Sequence, residues 1–147
     1  MSKQEIVPMK PIDYSSKIIM AWSQSISGNK EITIWLRGNG YEELAMATSA
    51  IYLKDEARTW LQKNGFPHLL AMINAAEGNG SAQQWLKTHG FDTLYHIAMA
   101  VESEQDSWRW LKENVSQDLF ILAQSIKKIK DQIEENHNDI HSFGQDF

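Results

Sequence analysis

The chain of 147 residues contains no cysteine. Disulfide bonds, thiolate metal sites and cysteine nucleophiles are therefore excluded. No apolar run approaches the ~20 residues that a membrane-spanning helix needs, and the first residues lack the apolar stretch of a signal peptide. We therefore expect a cytoplasmic protein that does not enter a membrane.

Basic residues are also too few to offset the acidic ones. The sequence has 14 Lys and Arg against 19 Asp and Glu, and its net charge is −5. Binding to nucleic acids is driven by Lys and Arg side chains that neutralise phosphates. The charge balance therefore predicts that nucleic acid is not a partner.

Motifs of catalysis are missing as well. The sequence has no Gly-x-Ser-x-Gly turn, no phosphate-binding Gly-rich loop and no His-Glu-x-x-His segment. Glu134, His137 and His141 could present three metal ligands on one helical face, but a di-iron bundle needs two Glu-x-x-His motifs and two further carboxylates, and the sequence offers only the one at Glu134 and His137. A solvated helix end is the favoured interpretation, so we predict no metal, no cofactor and no catalytic residue.

What the sequence does contain is an internal repeat. Trp-Leu pairs recur every 25 residues, at Trp35-Leu36, Trp60-Leu61, Trp85-Leu86 and Trp110-Leu111. The first three pairs are each followed by a glycine and an aromatic residue, at Gly40-Tyr41, Gly65-Phe66 and Gly90-Phe91. Self-similarity at a fixed period is typical of a repeat array, in which each unit buries its apolar face against its neighbours.

Each unit has the pattern of two helices. Ala57, Trp60 and Leu61 fall on one face of a first helix, which we expect to end at Gly65 because glycine readily adopts the left-handed conformation of a helix C-terminus. Pro67 is favourable in the first turn of a second helix. In the fourth unit Val115 replaces this glycine, so the turn there must be built differently.

The predicted fold is all-α: a short α-solenoid of helix-turn-helix repeats with a 25-residue period, one leading helix plus four helix pairs, and a long C-terminal helix. The pairing resembles α-solenoids such as HEAT and armadillo arrays, although this unit is shorter. Residues 1–12 and 142–147 are predicted to be flexible. The domain between them, 13–141, comprises units at about 30–54, 55–79, 80–104 and 105–138.

Aromatic and acidic side chains supply candidate contact residues. We interpret the four Trp-Leu pairs as packing between helices, whereas Trp108 points to the opposite side and is a candidate surface aromatic. Glu102, Glu104 and Asp106 form an acidic cluster that could recognise a basic partner. Alternatively, such acids only complement the dipoles at helix N-termini.

The last helix is predicted to run from about residue 117 to 138, which is longer than the repeat requires. Ile129, Ile133 and Ile140 continue a coiled-coil spacing past the expected end of the stack. They could fold back on the chain's own body, which we favour, or pair with a second molecule in a homodimer.

These features predict a non-catalytic protein–protein interaction module that is a monomer, or a homodimer through the last helix. The alternatives are a ligand-binding protein or enzyme with a site on the concave face or the last helix, and an acidic inhibitor or immunity-type protein.

Overall fold

The computed structural model describes the backbone of residues 7–145 and the side chains of residues 7–137. Within residues 7–145 it contains nine α-helices and no strand, which confirms the prediction of an all-helical chain. The helices are α1 Ser16–Ile26, α2 Lys30–Gly38, α3 Glu42–Ile51, α4 Asp55–Lys63, α5 Pro67–Ala76, α6 Gly80–Thr88, α7 Asp92–Val101, α8 Gln105–Asn114 and α9 Gln117–Gln145.

The odd-numbered helices carry most of the core. Helices α1, α3, α5 and α7 each pack against the next one in this series, and α9 contacts α7, α3 and α1. The last helix therefore reaches back to the first and closes the series. The even-numbered helices lie outside and bury a narrower stripe, such as Ala57 and Leu61 of α4.

Glycine turns end three of the outer helices as predicted. Gly65 and Gly90 have φ values of +91° and +76°. Beyond them, the Phe66 N–H donates to the Leu61 carbonyl and the Phe91 N–H donates to the Leu86 carbonyl, both at 2.9 Å. These are the hydrogen bonds of a Schellman turn, which satisfy carbonyls that the helix end leaves free.

The interpretation of the Trp-Leu pairs as packing between helices holds in part, because Trp60, Trp85 and Trp110 pack against the core without being fully buried. The leucine of each pair is fully buried, whereas Trp60, Trp85 and Trp110 are partly exposed and Trp35 is 44% exposed. Trp60 and Trp85 instead stack on Phe66 and Phe91, with ring centroids 6.2 and 5.7 Å apart. The glycine turn therefore brings the following aromatic residue back over the tryptophan.

Residues 7–15 run across α5 before α1 begins. The Lys10 N–H donates to the Gly65 carbonyl at 2.8 Å. The Lys10 carbonyl accepts a hydrogen bond from Nε2 of His68 at 2.7 Å, because the other ring nitrogen already accepts the N–H of Leu69. The segment from residue 7 to 12, predicted to be flexible, thus has specific partners.

The C-terminal part of the chain follows the prediction at the turn after α8 and departs from it in the length of α9. Val115 has an extended backbone (φ −122°, ψ 162°), so α8 ends without a left-handed residue. Helix α9 continues to Gln145 instead of ending near residue 138. Its apolar residues Leu122, Ile126, Ile129 and Ile133 pack on the body of the chain.

Candidate functional site

A surface groove of about 480 Å³ runs beside α9. One wall is α9 itself, and the other is formed by the ends of α3, α5 and α7 and the turns that follow them. We call it the α9 groove. Its lining residues are Leu53, Ala76, Glu77, Glu102, Lys130, Ile133, Glu134 and His137.

The α9 groove brings together four residues that the sequence singled out for different reasons: Glu102, Ile133, Glu134 and His137. Ile129 lies elsewhere, since it is buried in the core with 6% of its surface exposed. The side chains of Ile140 and His141 lie outside the described residues.

Leu53 is the unusual residue of the groove. Its side chain is 51% exposed, and its φ of +69° is a left-handed conformation that is costly for a leucine. Sequence reasoning missed this residue. The signal was available, because Leu53 stands 25 residues after Gly28 and 25 before Gly78, both of which have positive φ.

An ionic network forms the floor of the groove. The Glu77 carboxylate accepts a hydrogen bond from Arg58 at 2.8 Å and another from Lys130. Lys130 also donates to the Ile51 carbonyl at 2.6 Å, and Arg58 donates to the Ala50 carbonyl at 3.2 Å. Lys130 thereby satisfies the Ile51 carbonyl at the end of α3, where a helix terminus leaves carbonyls without intrahelical partners, and Arg58 adds a second hydrogen bond to the Ala50 carbonyl, which also accepts the Leu53 N–H.

The pKa values in this network follow from burial and hydrogen bonding. Burial alone raises the pKa of Glu77, but the hydrogen bonds from Arg58 and Lys130 outweigh it and hold this pKa below its usual range. Burial lowers the pKa of Lys130, and its hydrogen bond to Glu77 opposes that shift. Lys130 and Arg58 therefore both form ion pairs with Glu77 in the floor of the groove.

Glu102 and Glu134 add negative charge to the lining. Glu102 is the C-terminal cap of α7, so complementing a helix N-terminus does not explain its position. Glu104 and Asp106 differ, because they lie at the start of α8, where the dipole explanation applies. The predicted acidic cluster is therefore divided, and only Glu102 lines the groove.

Trp108 lies on the other side of α9. It is half-buried and packs edge-on against Phe120, with ring centroids 5.4 Å apart. The two rings line a shallow second groove of about 470 Å³ together with Gln124, Lys127, Lys128 and Asp131. Trp108 therefore does not line the α9 groove.

The described residues contain no group of three or more acidic or histidine side chains placed to hold a metal ion. Of the helices in the described part of the chain, none combines the length and apolar character that crossing a bilayer requires. No protein-family model, curated protein or solved structure matches the chain.

Proposed function

We propose that the protein is a non-catalytic interaction module, a short solenoid of helix pairs whose α9 groove binds a basic segment of another protein. Its partner segment carries an apolar side chain flanked by Lys or Arg. The observation that carries the proposal is the exposed, left-handed Leu53 at the edge of an acidic groove.

The repeat is supported by equivalent positions. Helices α2, α4, α6 and α8 begin at residues 30, 55, 80 and 105. Left-handed residues occur in the turns before them, at Gly28, Leu53, Gly78 and Ser103. Two side chains at equivalent positions of the outer helices also make equivalent hydrogen bonds to the preceding helix. Arg58 donates to the Ala50 carbonyl, and Gln83 donates to the Ala75 carbonyl.

The apolar part of the groove supports contact with a partner side chain. Leu53 and Ile133 both line the groove, and half of the Leu53 surface is exposed. An exposed leucine in a costly backbone conformation does not stabilise the fold, and such strained residues are typical of binding sites. Burying the exposed half of such a side chain in an interface stabilises the complex by about 0.8–1.5 kcal/mol.

The charge of the groove supports a basic partner. Glu102 and Glu134 lie beside the apolar residues, while the positive charges of Arg58 and Lys130 are engaged with Glu77. Complementary charges guide association and suppress wrong partners. The same chemistry would suit an acidic inhibitor that blocks a basic protein surface. Because Ile129 packs in the chain's own core, we propose that the protein is a monomer. That the protein is cytoplasmic stays a prediction.

A designed peptide tests the proposal. The probe is a fluorescently labelled helical peptide with a central leucine and lysines one turn before and after it, and its control carries glutamates in place of the lysines. We expect saturable binding of the lysine peptide by fluorescence polarisation and none of the control. Failure of the lysine peptide to bind, or equal binding of both, would reject the proposal.

A pair of variants locates the binding site. Leu53→Gly removes the side chain and relieves the left-handed strain, so the fold is kept. It should weaken peptide binding about fivefold to tenfold. Ser103→Gly makes the same backbone change at the equivalent turn, where Ser103 accepts a hydrogen bond from Lys127 and does not line the groove. It should leave the affinity unchanged, and equal effects of the two variants contradict the assignment.

A further inference from the structure

Residues 7–12 lie as a strap across the turn between α4 and α5. The Lys10 N–H donates to the Gly65 carbonyl at 2.8 Å, and the Lys10 carbonyl accepts a hydrogen bond from Nε2 of His68 at 2.7 Å. The Lys10 ammonium group lies 5.7 Å from the centre of the Phe66 ring. Both backbone hydrogen bonds that hold the strap therefore belong to a single residue, Lys10.

Most of the strap is in contact with solvent. Residues 7–11 are exposed, and Ile12 is the one strap residue that packs partly against the core. Tyr14 is fixed separately, because its hydroxyl group donates a hydrogen bond to the Glu43 carboxylate at 2.7 Å. The exposed Asp13 lies between these two attachments. The strap can therefore leave the surface by rotation of the backbone near Asp13, while Tyr14 and α1 stay in place.

His68, which bonds the strap, is suited to the neutral form of its ring. Its side chain is 2% exposed, and its ring contacts those of Phe66 and Phe91, with centroids 6.0 and 5.4 Å away. Nε2 donates to the Lys10 carbonyl, and Nδ1 accepts the N–H of Leu69. A protonated imidazole carries hydrogen on both nitrogens. Protonation therefore removes the acceptor of the Leu69 N–H and places a charge among aromatic rings.

The charged groups around His68 do not offset this effect. The strap contributes Lys10, whose positive charge lies over the Phe66 ring, and the turn before α7 contributes Asp92, next to Phe91 in the chain. Neither of these charged side chains changes the pKa of His68. Burial lowers this pKa, and hydrogen bonds to the backbone of Lys10 and Phe66 oppose the shift only in part. Releasing the strap removes one cover of the ring, so its pKa returns towards the ordinary value of about 6.5.

We propose that residues 7–12 are an acid-sensitive strap, which neutral His68 holds closed and which is released when His68 is protonated. Release uncovers the turn at Gly65 and the ring of Phe66. Because the released form binds the proton more tightly, the ratio of released to closed protein rises by up to about tenfold per pH unit, from the ordinary histidine pKa down to the lower pKa of the closed form. The strap is independent of the α9 groove, since neither Lys10 nor His68 lines that groove.

Hydrogen exchange of the Lys10 amide measures release, because its N–H is bonded to Gly65 only in the closed form. Protection factors are obtained by NMR between pH 7.5 and pH 5, with the intrinsic exchange rate at each pH divided out. We expect the Lys10 amide to be about tenfold or more less protected than the Phe66 amide, which bonds the Leu61 carbonyl within the body of the chain. Its protection should fall by up to about tenfold for each pH unit below 6.5.

Two variants assign the pH dependence to one histidine. His68→Gln keeps a side-chain N–H for the Lys10 carbonyl and removes the titration, so the protection of the Lys10 amide should no longer depend on pH. His96→Gln is the matched control, because burial lowers the pKa of His96 as well, although its ring bonds Ser107 and not the strap. In this variant the protection of Lys10 should change with pH as in the unmodified protein.

Three results would overturn the proposal. Equal protection of the Lys10 and Phe66 amides would show that the strap leaves the surface only when the protein unfolds. Protection of Lys10 that does not change with pH would show that no histidine controls release. An unchanged pH dependence in His68→Gln would assign control to another group. The first two results are measured on the unmodified chain and hold even if His68→Gln fails to fold.

Discussion

Lys130 of α9 donates a hydrogen bond to the carbonyl of Ile51 at 2.6 Å, joining residues 79 positions apart in the chain. The same ammonium group bonds the carboxylate of Glu77, which follows α5. One side chain of the last helix therefore holds the ends of two earlier helices. Because Lys130 is held by the Glu77 carboxylate, the stability of the ionic network in the floor of the α9 groove depends on the charge of Glu77.

Replacing Glu77 with glutamine should destabilise the protein by about 2 kcal/mol at neutral pH, because Arg58 and Lys130 lose a charged acceptor while largely buried. The pKa of Glu77 is lowered in the folded state, so its stabilisation is present at neutral pH and is lost as the pH falls below about 4.3, the ordinary glutamate value. Urea melts of both proteins between pH 7 and pH 3 measure this difference.

The difference in unfolding free energy between the two proteins should therefore shrink as the pH falls through the folded-state pKa. Glu104→Gln is the control, since Glu104 is exposed and makes no side-chain capping bond to α8. A difference for Glu77→Gln that does not change with pH would show that the carboxylate charge is unimportant.

The turn at Gly65 should tolerate a methyl group less well than the turn at Gly90. Alanine at either position adopts a left-handed conformation at a cost of about 1–2 kcal/mol. At Gly65 the new Cβ would also lie 2.7 Å from the Pro8 carbonyl oxygen, whereas nothing lies within 4 Å of it at Gly90. Gly65→Ala should thus be more destabilising in denaturant melts, and it should speed proteolysis within residues 7–15. Equal losses would mean that this segment does not pack as described.

Within a Trp-Leu pair, the leucine should contribute more to stability than the tryptophan. Leu61 is fully buried, and Leu61→Ala should cost about 3 kcal/mol because it leaves a cavity. Trp60 is partly exposed and stacks on Phe66, so Trp60→Ala should cost about half as much. Thermal and urea unfolding check the order, and a larger loss for Trp60→Ala would show that the tryptophan belongs to the core.

His68 should make the protein less stable in mild acid. Burial lowers its pKa, and the hydrogen bonds to backbone groups only partly oppose this shift. As the pH falls below about 6.5, the unfolded state binds a proton that the folded state does not, so stability declines towards the folded-state pKa. In His68→Gln this part of the pH dependence should be absent. His96, whose pKa is also lowered, is present in both proteins, so comparing their melts between pH 7.5 and pH 5 isolates His68. Identical pH profiles would contradict the prediction.

The amino-acid sequence by itself determined where most helices begin and end. Gly65 and Gly90 end α4 and α6 because the left-handed conformation they adopt is a local property of glycine. Asn79 caps α6 through a hydrogen bond to the N–H of Ala82, three residues away. Such interactions involve near neighbours in the chain, and the 25-residue pattern predicted the glycine turns among them.

Only the tertiary structure decided which residues of each helix face enter the core. Trp60 and Leu61 both lie on the inward side of α4, and the positions of neighbouring helices select Leu61 for the core and leave Trp60 at the edge. Burial depends on the surfaces that surround a side chain, and helical periodicity gives only its direction.

The α9 groove was decided in the same way. Glu77 and Lys130 are 53 residues apart, and they meet because α9 packs against α1, α3 and α7. The spacing of isoleucines predicted an apolar face on α9 and left open whether this chain or a second one would cover it. The burial of Ile129 in the core follows from the surface that α1, α3 and α7 offer to α9, and that surface exists only once the helices have packed.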